Sequence, residues 1–94
     1  MYARVLSRMR QLVLEQRYIV TLHADEEMDV DGLSVYDVES IVLCGQIIER
    51  QRDVITSEYK YRIRGKTLAG SEAEVITKLS VTGKLVFITA YSLQ

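Results

Sequence analysis

Leu33-Ser34-Val35-Tyr36-Asp37-Val38-Glu39-Ser40-Ile41-Val42-Leu43-Cys44-Gly45-Gln46-Ile47-Ile48-Glu49 is the stretch on which the fold turns. Ser34 is a good helix N-cap, with Asp37 three residues on in a capping-box arrangement and Leu33 and Val38 spaced as a hydrophobic staple. Val35, Val38, Ile41 and Val42 make one apolar stripe at helical spacing. Gly45 is a natural C′ residue to end that helix. From Gln46 onward the helical period is gone, and the chain reads in short strands.

Upstream, Tyr2, Val5, Leu6, Met9, Leu12 and Val13 follow the same helical spacing, with Arg4, Arg8 and Glu15 opposite, so a helix is expected over Ala3–Gln16. Arg17–Leu22 alternates and is rich in β-branched and aromatic residues, as a short strand is. His23–Met28 reads as a short acidic helix, and Asp31-Gly32 as a turn. Downstream, strands are expected over Gln46–Val54, Tyr59–Lys66, Glu72–Val81 and Lys84–Ser92. The last is apolar on both faces and is expected to be central. The breaks Leu68-Ala69-Gly70-Ser71 and Val81-Thr82-Gly83-Lys84 suit hairpins. The order α-β-α-α-β-β-β-β implies an α+β fold: N-terminal helices packed on a mostly antiparallel sheet of four to five strands.

The 94 residues hold no proline, repeat or linker, and they read as a single domain spanning 1–94. One cysteine, Cys44, rules out an internal disulfide and fits a reducing cytoplasm. No apolar run approaches the ~20 residues of a membrane span, and no signal peptide is read. The formal net charge is −1, so the whole chain does not announce a polyanion partner. Its distribution is uneven. Seven acids and no Lys or Arg lie between Ile19 and Gly45, whereas eight basic residues face five acids from Gln46 on.

Within that basic half, Lys60-Tyr61-Arg62-Ile63-Arg64-Gly65-Lys66 is the sharpest feature. Alternation puts Lys60, Arg62, Arg64 and Lys66 on one strand face, about 6.6–7 Å apart, as a ribbon able to hold phosphates. The plainer reading is a solvated face paired with Glu72 and Glu74 on the next strand. His23, the sole histidine, is a candidate acid or base, or else a packed residue at a strand–helix junction. Tyr91, near the end of the last strand and on the same face as Phe87 and Thr89, is a candidate to stack on a base or donate a proton, or else a core or edge tyrosine. The acids Asp25, Glu26, Glu27, Asp29 and Asp31 match no calcium loop and read as a solvated face. No P-loop, dinucleotide fingerprint or metal-helix motif is present, and no cofactor or metal is expected.

Thr21-Leu22-His23-Ala24-Asp25-Glu26-Glu27-Met28 resembles the "T-x-H-A-x-E-x-M" opening of a bacterial domain-of-unknown-function family, number 4258. The likeness continues through Gly32-Leu33-Ser34, Asp37-Val38-Glu39 and Gly45-Gln46-Ile47-Ile48-Glu49. It resumes at Tyr61-Arg62-Ile63-Arg64-Gly65 and at Thr82-Gly83-Lys84-Leu85-Val86-Phe87-Ile88-Thr89-Ala90-Tyr91. It spans about residues 17–91, which leaves the helix of residues 1–16 before it. Glu27 is a departure, because many relatives carry arginine there. The family is similar to compact RelE-like ribonuclease toxins, and its members often resemble partners of small zinc-finger antitoxins. The resemblance implies a metal-independent endoribonuclease of a toxin–antitoxin pair, with Arg62, Arg64 and Tyr91 in places comparable to those toxins' basic and tyrosine residues. With the reading of the strands above, His23, Tyr91 and Arg64 are the expected catalytic residues and Lys60, Arg62, Arg64 and Lys66 the expected phosphate ligands. Its partners would be RNA and an antitoxin protein. The competing expectation is a non-enzymatic interaction module that uses the basic strand or the first helix, and a homodimer through that helix is compatible with either.

Overall fold

The computed structural model describes residues 1–93. Its elements run α1 (Ala3–Leu14), β1 (Tyr18–Val20), α2 (Leu22–Asp31), α3 (Val35–Cys44), β2 (Gln46–Arg52), β3 (Tyr59–Lys66), β4 (Glu72–Leu79) and β5 (Leu85–Ser92). This is the α+β order expected from the sequence.

Local chemistry explains most boundaries. At α3 the Ser34 hydroxyl accepts from the Asp37 N–H at 3.2 Å, and the Asp37 carboxylate accepts from the Ser34 N–H at 2.9 Å. That is the expected capping box, which satisfies two of the helix's orphan donors. α1 stops earlier than its periodicity suggests. Gln16 turns left-handed (φ 57°), and Arg17 N–H bonds back to the Leu12 carbonyl at 2.8 Å. α2 starts at a Thr21 cap and runs past Met28 to Asp31, where Gly32 (φ 69°) closes it in the same left-handed way. The acidic residues beyond Met28 carry no apolar period, which is why the helix reads short in the sequence.

The sheet order is β1-β5-β4-β3-β2. β2 to β5 are joined antiparallel, and β1 lies parallel to β5, so β5 is interior as expected. One face of the sheet presents Tyr61, Ile63, Val75, Leu85, Phe87 and Ala90 to a core shared with Leu6, Met9, Leu12 and Val13 of α1 and Val38, Ile41 and Val42 of α3. The N-terminal helix, outside the stretch that resembles the family, is therefore part of the core. Arg10 ties it further, donating through Nε to the Val42 carbonyl at 3.0 Å and through Nη2 to the Gly45 carbonyl at 2.8 Å. A cation at the C-terminal end of α3 satisfies carbonyls that the helix cannot. Arg10→Ala should cost about 1–2 kcal/mol, read as a lower urea midpoint.

Gly45 does not take the left-handed C′ conformation that the sequence suggests; its φ and ψ are −91° and −171°. It is glycine because α3 and β3 meet there almost backbone to backbone. A Cβ on Gly45 would overlap the carbonyl oxygens of Ile41 and Arg64, and one on Gly65 would lie 2.6 Å from the Ile41 oxygen and 3.0 Å from the Gly45 Cα.

Two β-bulges break the alternation. In β5 the pairing passes from Thr77↔Phe87 to Ile76↔Thr89, leaving Ile88 unmatched. In β2 it passes from Ile47↔Ile63 to Glu49↔Arg62, leaving Ile48 unmatched. Each bulge moves every later residue of its strand to the other face. Phe87 therefore sits in the core while Thr89 and Tyr91 lie on the opposite face, which corrects the expectation that all three share one face. Beside the last residues of β5, α2 takes over the edge from β1. Glu27 accepts the Ala90 N–H at 3.3 Å, and Asp31 accepts the Ser92 N–H at 2.7 Å. Two members of the acidic run thus have a structural task that a purely solvated face would lack.

Candidate functional site

The face of the sheet away from α1 and α3 carries Arg62, Arg64, Glu74 and Tyr91. The register explains the grouping: Arg64 is paired with Glu74, and Glu74 with Tyr91. The β5 bulge places Tyr91 there, and the β2 bulge adds Glu49 beside Arg62.

Glu74 is the hub. Although it lies on the face that neither α1 nor α3 covers, the residue is only 1% exposed, because its neighbours roof it over. Its carboxylate accepts from the Tyr91 hydroxyl at 2.6 Å, from Arg64 Nε at 2.7 Å and from Arg62 Nη1 at 3.2 Å. Arg62 also donates through Nε to Glu49 at 3.2 Å. Burial pushes the Glu74 carboxyl upward. The hydrogen bonds from Tyr91, Arg64 and Arg62 outweigh that and hold it below the ordinary carboxylate value. Burial, with the bond to Glu74, raises the Tyr91 phenol, so it keeps its proton at neutral pH and acts as a donor.

A consequence for stability follows. A carboxyl whose folded value is depressed stabilises the protein fully above its unfolded value, near ~4.3, and that contribution is lost as pH falls through the folded value. Glu74→Gln should cost about 2 kcal/mol at pH 7, since charge-assisted bonds to a buried acceptor are replaced by an amide that also presents donors to two arginines. The gap between wild type and variant should narrow as pH drops below ~4. Thermal unfolding across pH 3–7 measures both.

The other candidates divide around this hub. Lys60 is engaged by Asp53 at 3.5 Å. Lys66 lies opposite Glu72 in the register and forms no ion pair among the described residues. Arg62 is bonded to two carboxylates. Arg64 differs: its Nε is held by Glu74, its side chain is 46% exposed, and its Nη1 and Nη2 have no partner among the described residues. Three of the four cations of the expected ribbon are therefore held by this chain's own acids, by Glu74 as expected but by Asp53 and Glu49 rather than Glu72, and Arg64 retains a free donor edge among the described residues.

His23 stands in the first turn of α2 with its side chain 67% exposed and Nε2 at 3.3 Å from Glu27 Oε1. The same Glu27 oxygen accepts the Ala90 N–H, so the carboxylate is anchored to β5. His23, Glu27 and Tyr91 line one depression of about 270 Å³. The structure thus brings Arg62, Arg64 and Tyr91 together through Glu74 and sets His23 on the rim beyond Tyr91, without a bond between His23 and the cluster. Among the described residues, no group of three or more His, Cys, Asp or Glu is placed to hold a metal ion. No helix is long and apolar enough to cross a membrane.

Sequence reading missed the centrality of Glu74 and the parts played by Glu49 and Glu27. The available signal for Glu74 was its setting: an acid between Ala73 and Val75, at the start of the apolar run Val75-Ile76 and two residues from the register partner of Arg62.

The model of the family described as "Domain of unknown function (DUF4258)" matches residues 20–92. The chain belongs to the DUF4258 family. The matched region starts within β1 and ends with β5, so it contains every residue of the Glu74 cluster and His23, while α1 precedes it. The DUF4258 core is completed in this chain by that preceding helix. Neither a curated protein nor a solved structure matched the chain.

Proposed function

We propose that this protein is a toxin-like ribonuclease acting without a metal, with an antitoxin protein as its natural check, and that RNA lies across the arginine face of the sheet toward α2. The observation that carries this reading is Arg64: a guanidinium oriented by a buried carboxylate through Nε, with neither Nη group partnered among the described residues, and sharing that carboxylate with a tyrosine that lines one depression with the sole histidine. A planar guanidinium with two free donors suits a phosphate whose oxygens gain charge during reaction.

In this reading His23, anchored through Glu27, takes the proton of a ribose 2′-hydroxyl. The 2′-oxygen bonds to phosphorus while the bond from phosphorus to the 5′-oxygen breaks. Arg64 meets the charge on the non-bridging oxygens, and the departing 5′-oxygen takes its proton from water in the open depression. Tyr91 orients Glu74, and through it Arg64. Arg62 and Lys66 flank the phosphate, with Lys60 at the far end of the strand.

The test is induced expression in a bacterium, following growth and mRNA integrity for wild type and for Arg64→Ala at equal abundance. Growth arrest with mRNA loss in wild type alone supports the reading. Intact mRNA and normal growth in both overturn it. In that event the second reading, a non-enzymatic interaction module that uses the basic strand, is favoured by Lys66, which forms no ion pair among the described residues, and by the outward edge of Arg64: together they offer an acidic partner two cations and need no proton-transfer group.

A further inference from the structure

We infer that the bare edge of β2 is a docking site for an extended acidic peptide, which joins the sheet as a sixth strand and sets two carboxylates against Arg50 and Arg52. β2 ends the sheet order, so on its outer side a seven-residue strand has no neighbouring strand, and it contains no proline. Unpaired main-chain N–H and C=O groups along such an edge are a template for another strand.

The side chains say which strand. Arg50 is paired with Tyr61 and Arg52 with Tyr59, so both arginines lie on the same face, opposite to that of Glu49. Two residues along a strand are about 6.6–7 Å apart, the spacing of alternate side chains on an added strand. Arg50 is stacked over the Tyr59 ring at 4.3 Å and faces the Tyr2 ring at 5.5 Å. Stacking on ring faces orients a guanidinium while leaving its N–H edge open. Neither Arg50 nor Arg52 forms an ion pair or hydrogen bond among the described residues, whereas Lys60, Arg62, Arg64 and Lys78 each hold a carboxylate of this chain.

Charge also selects against the obvious rival. A second copy pairing β2 to β2 about a two-fold axis must match like faces, which sets the arginines of one strand against those of the other wherever the ends of the strands beyond the bulge overlap. An acidic strand meets opposite charge in the same place. RNA would use the arginines but leave the main-chain edge unfilled. The site is on the other face of the sheet from Arg64 and stands independently of the ribonuclease reading.

The experiment titrates the full chain into a dye-labelled, capped nine-residue peptide alternating glutamate with threonine, at low salt. Arg52→Glu is the informative variant, because the Arg52 side chain forms no hydrogen bond or ion pair among the described residues whose loss would impair folding. Saturable binding that falls at least tenfold in Arg52→Glu, is unchanged in Arg64→Ala, weakens with added salt and vanishes when every amide of the peptide is N-methylated is the expected result. Amide shifts on peptide addition should centre on residues 46–52. No binding, equal binding by Arg52→Glu or by the N-methylated peptide, tighter binding of a nine-residue oligouridylate to the same arginines, or dimerisation through β2 would each overturn the assignment.

Discussion

Gly45→Ala is expected to lower the unfolding free energy by about 3 kcal/mol, a drop in thermal midpoint of about 12–24 °C for a domain of this size. The direction is worth deriving, because it opposes the usual trend. At a φ of −91° an L-residue is unstrained, and glycine-to-alanine there ordinarily stabilises by about 0.4–1 kcal/mol through the unfolded chain. Here the added methyl would enter the space between the Ile41 and Arg64 carbonyls, one inside α3 and the other inside β3. Neither is a side-chain tip that can swing away. Relief requires α3 to lift from the sheet, and the backbones are as close at Gly65, where a Cβ would lie 2.6 Å from the Ile41 oxygen and 3.0 Å from the Gly45 Cα. Gly70→Ala makes the control: with φ at 87° and open space around it, it should cost only about 1 kcal/mol, all of it conformational. Paired denaturant titrations decide it, and equal losses in the two variants would mean that the seam between α3 and β3 has slack.

If the proposed ribonuclease reading holds, Arg64→Ala is expected to reduce RNA cleavage by about 10²–10³-fold, the loss typical of one preorganised donor at a developing oxyanion. Arg64→Lys should recover only a small part. An ammonium is a point charge, and beside Glu74 it would bond that carboxylate or the phosphate, whereas the guanidinium serves Glu74 through Nε and keeps two donors outward. Both variants should remain folded, since Glu74 retains Arg62 and Tyr91. Binding should be weakly salt-dependent. With Lys60 and Arg62 occupied by internal carboxylates, about two phosphates are neutralised, so the logarithmic salt slope for single-stranded RNA should be close to −1.4. A much steeper slope would mean that the internal ion pairs open on binding.

How much of this could be read from the chain depends on range. The α3 capping box, the glycine turns at Gly70 and Gly83 and the whole of β3 are local, and the residue types that build them announce themselves. Pairing of β1 with β5 joins distant parts of the chain and has no local mark beyond the length of β1. The bulges are the more instructive loss. Bulges are often signalled by glycine, but Ile48 and Ile88 are ordinary strand formers, so nothing in their chemistry warned that the alternation would slip. That slip is why Tyr91 reads with Phe87 in the sequence yet lies with Arg64 in the fold. Arg62, Arg64 and Tyr91 were recognisable as polar groups on strands. Glu74 was recognisable only as a charge partner, because a carboxylate becomes a hub by register, which composition does not carry.

The side-chain seal that α2 lays along the end of β5 has a bearing on stoichiometry. Glu27 and Asp31 occupy the very amide hydrogens that a further strand would need, and the short β1 closes the remainder of that border. Growth of the sheet is therefore directional. It can accept a newcomer at β2 and has little to offer at the opposite border. A molecule built this way terminates an assembly at one-to-one and is a poor link in a fibril.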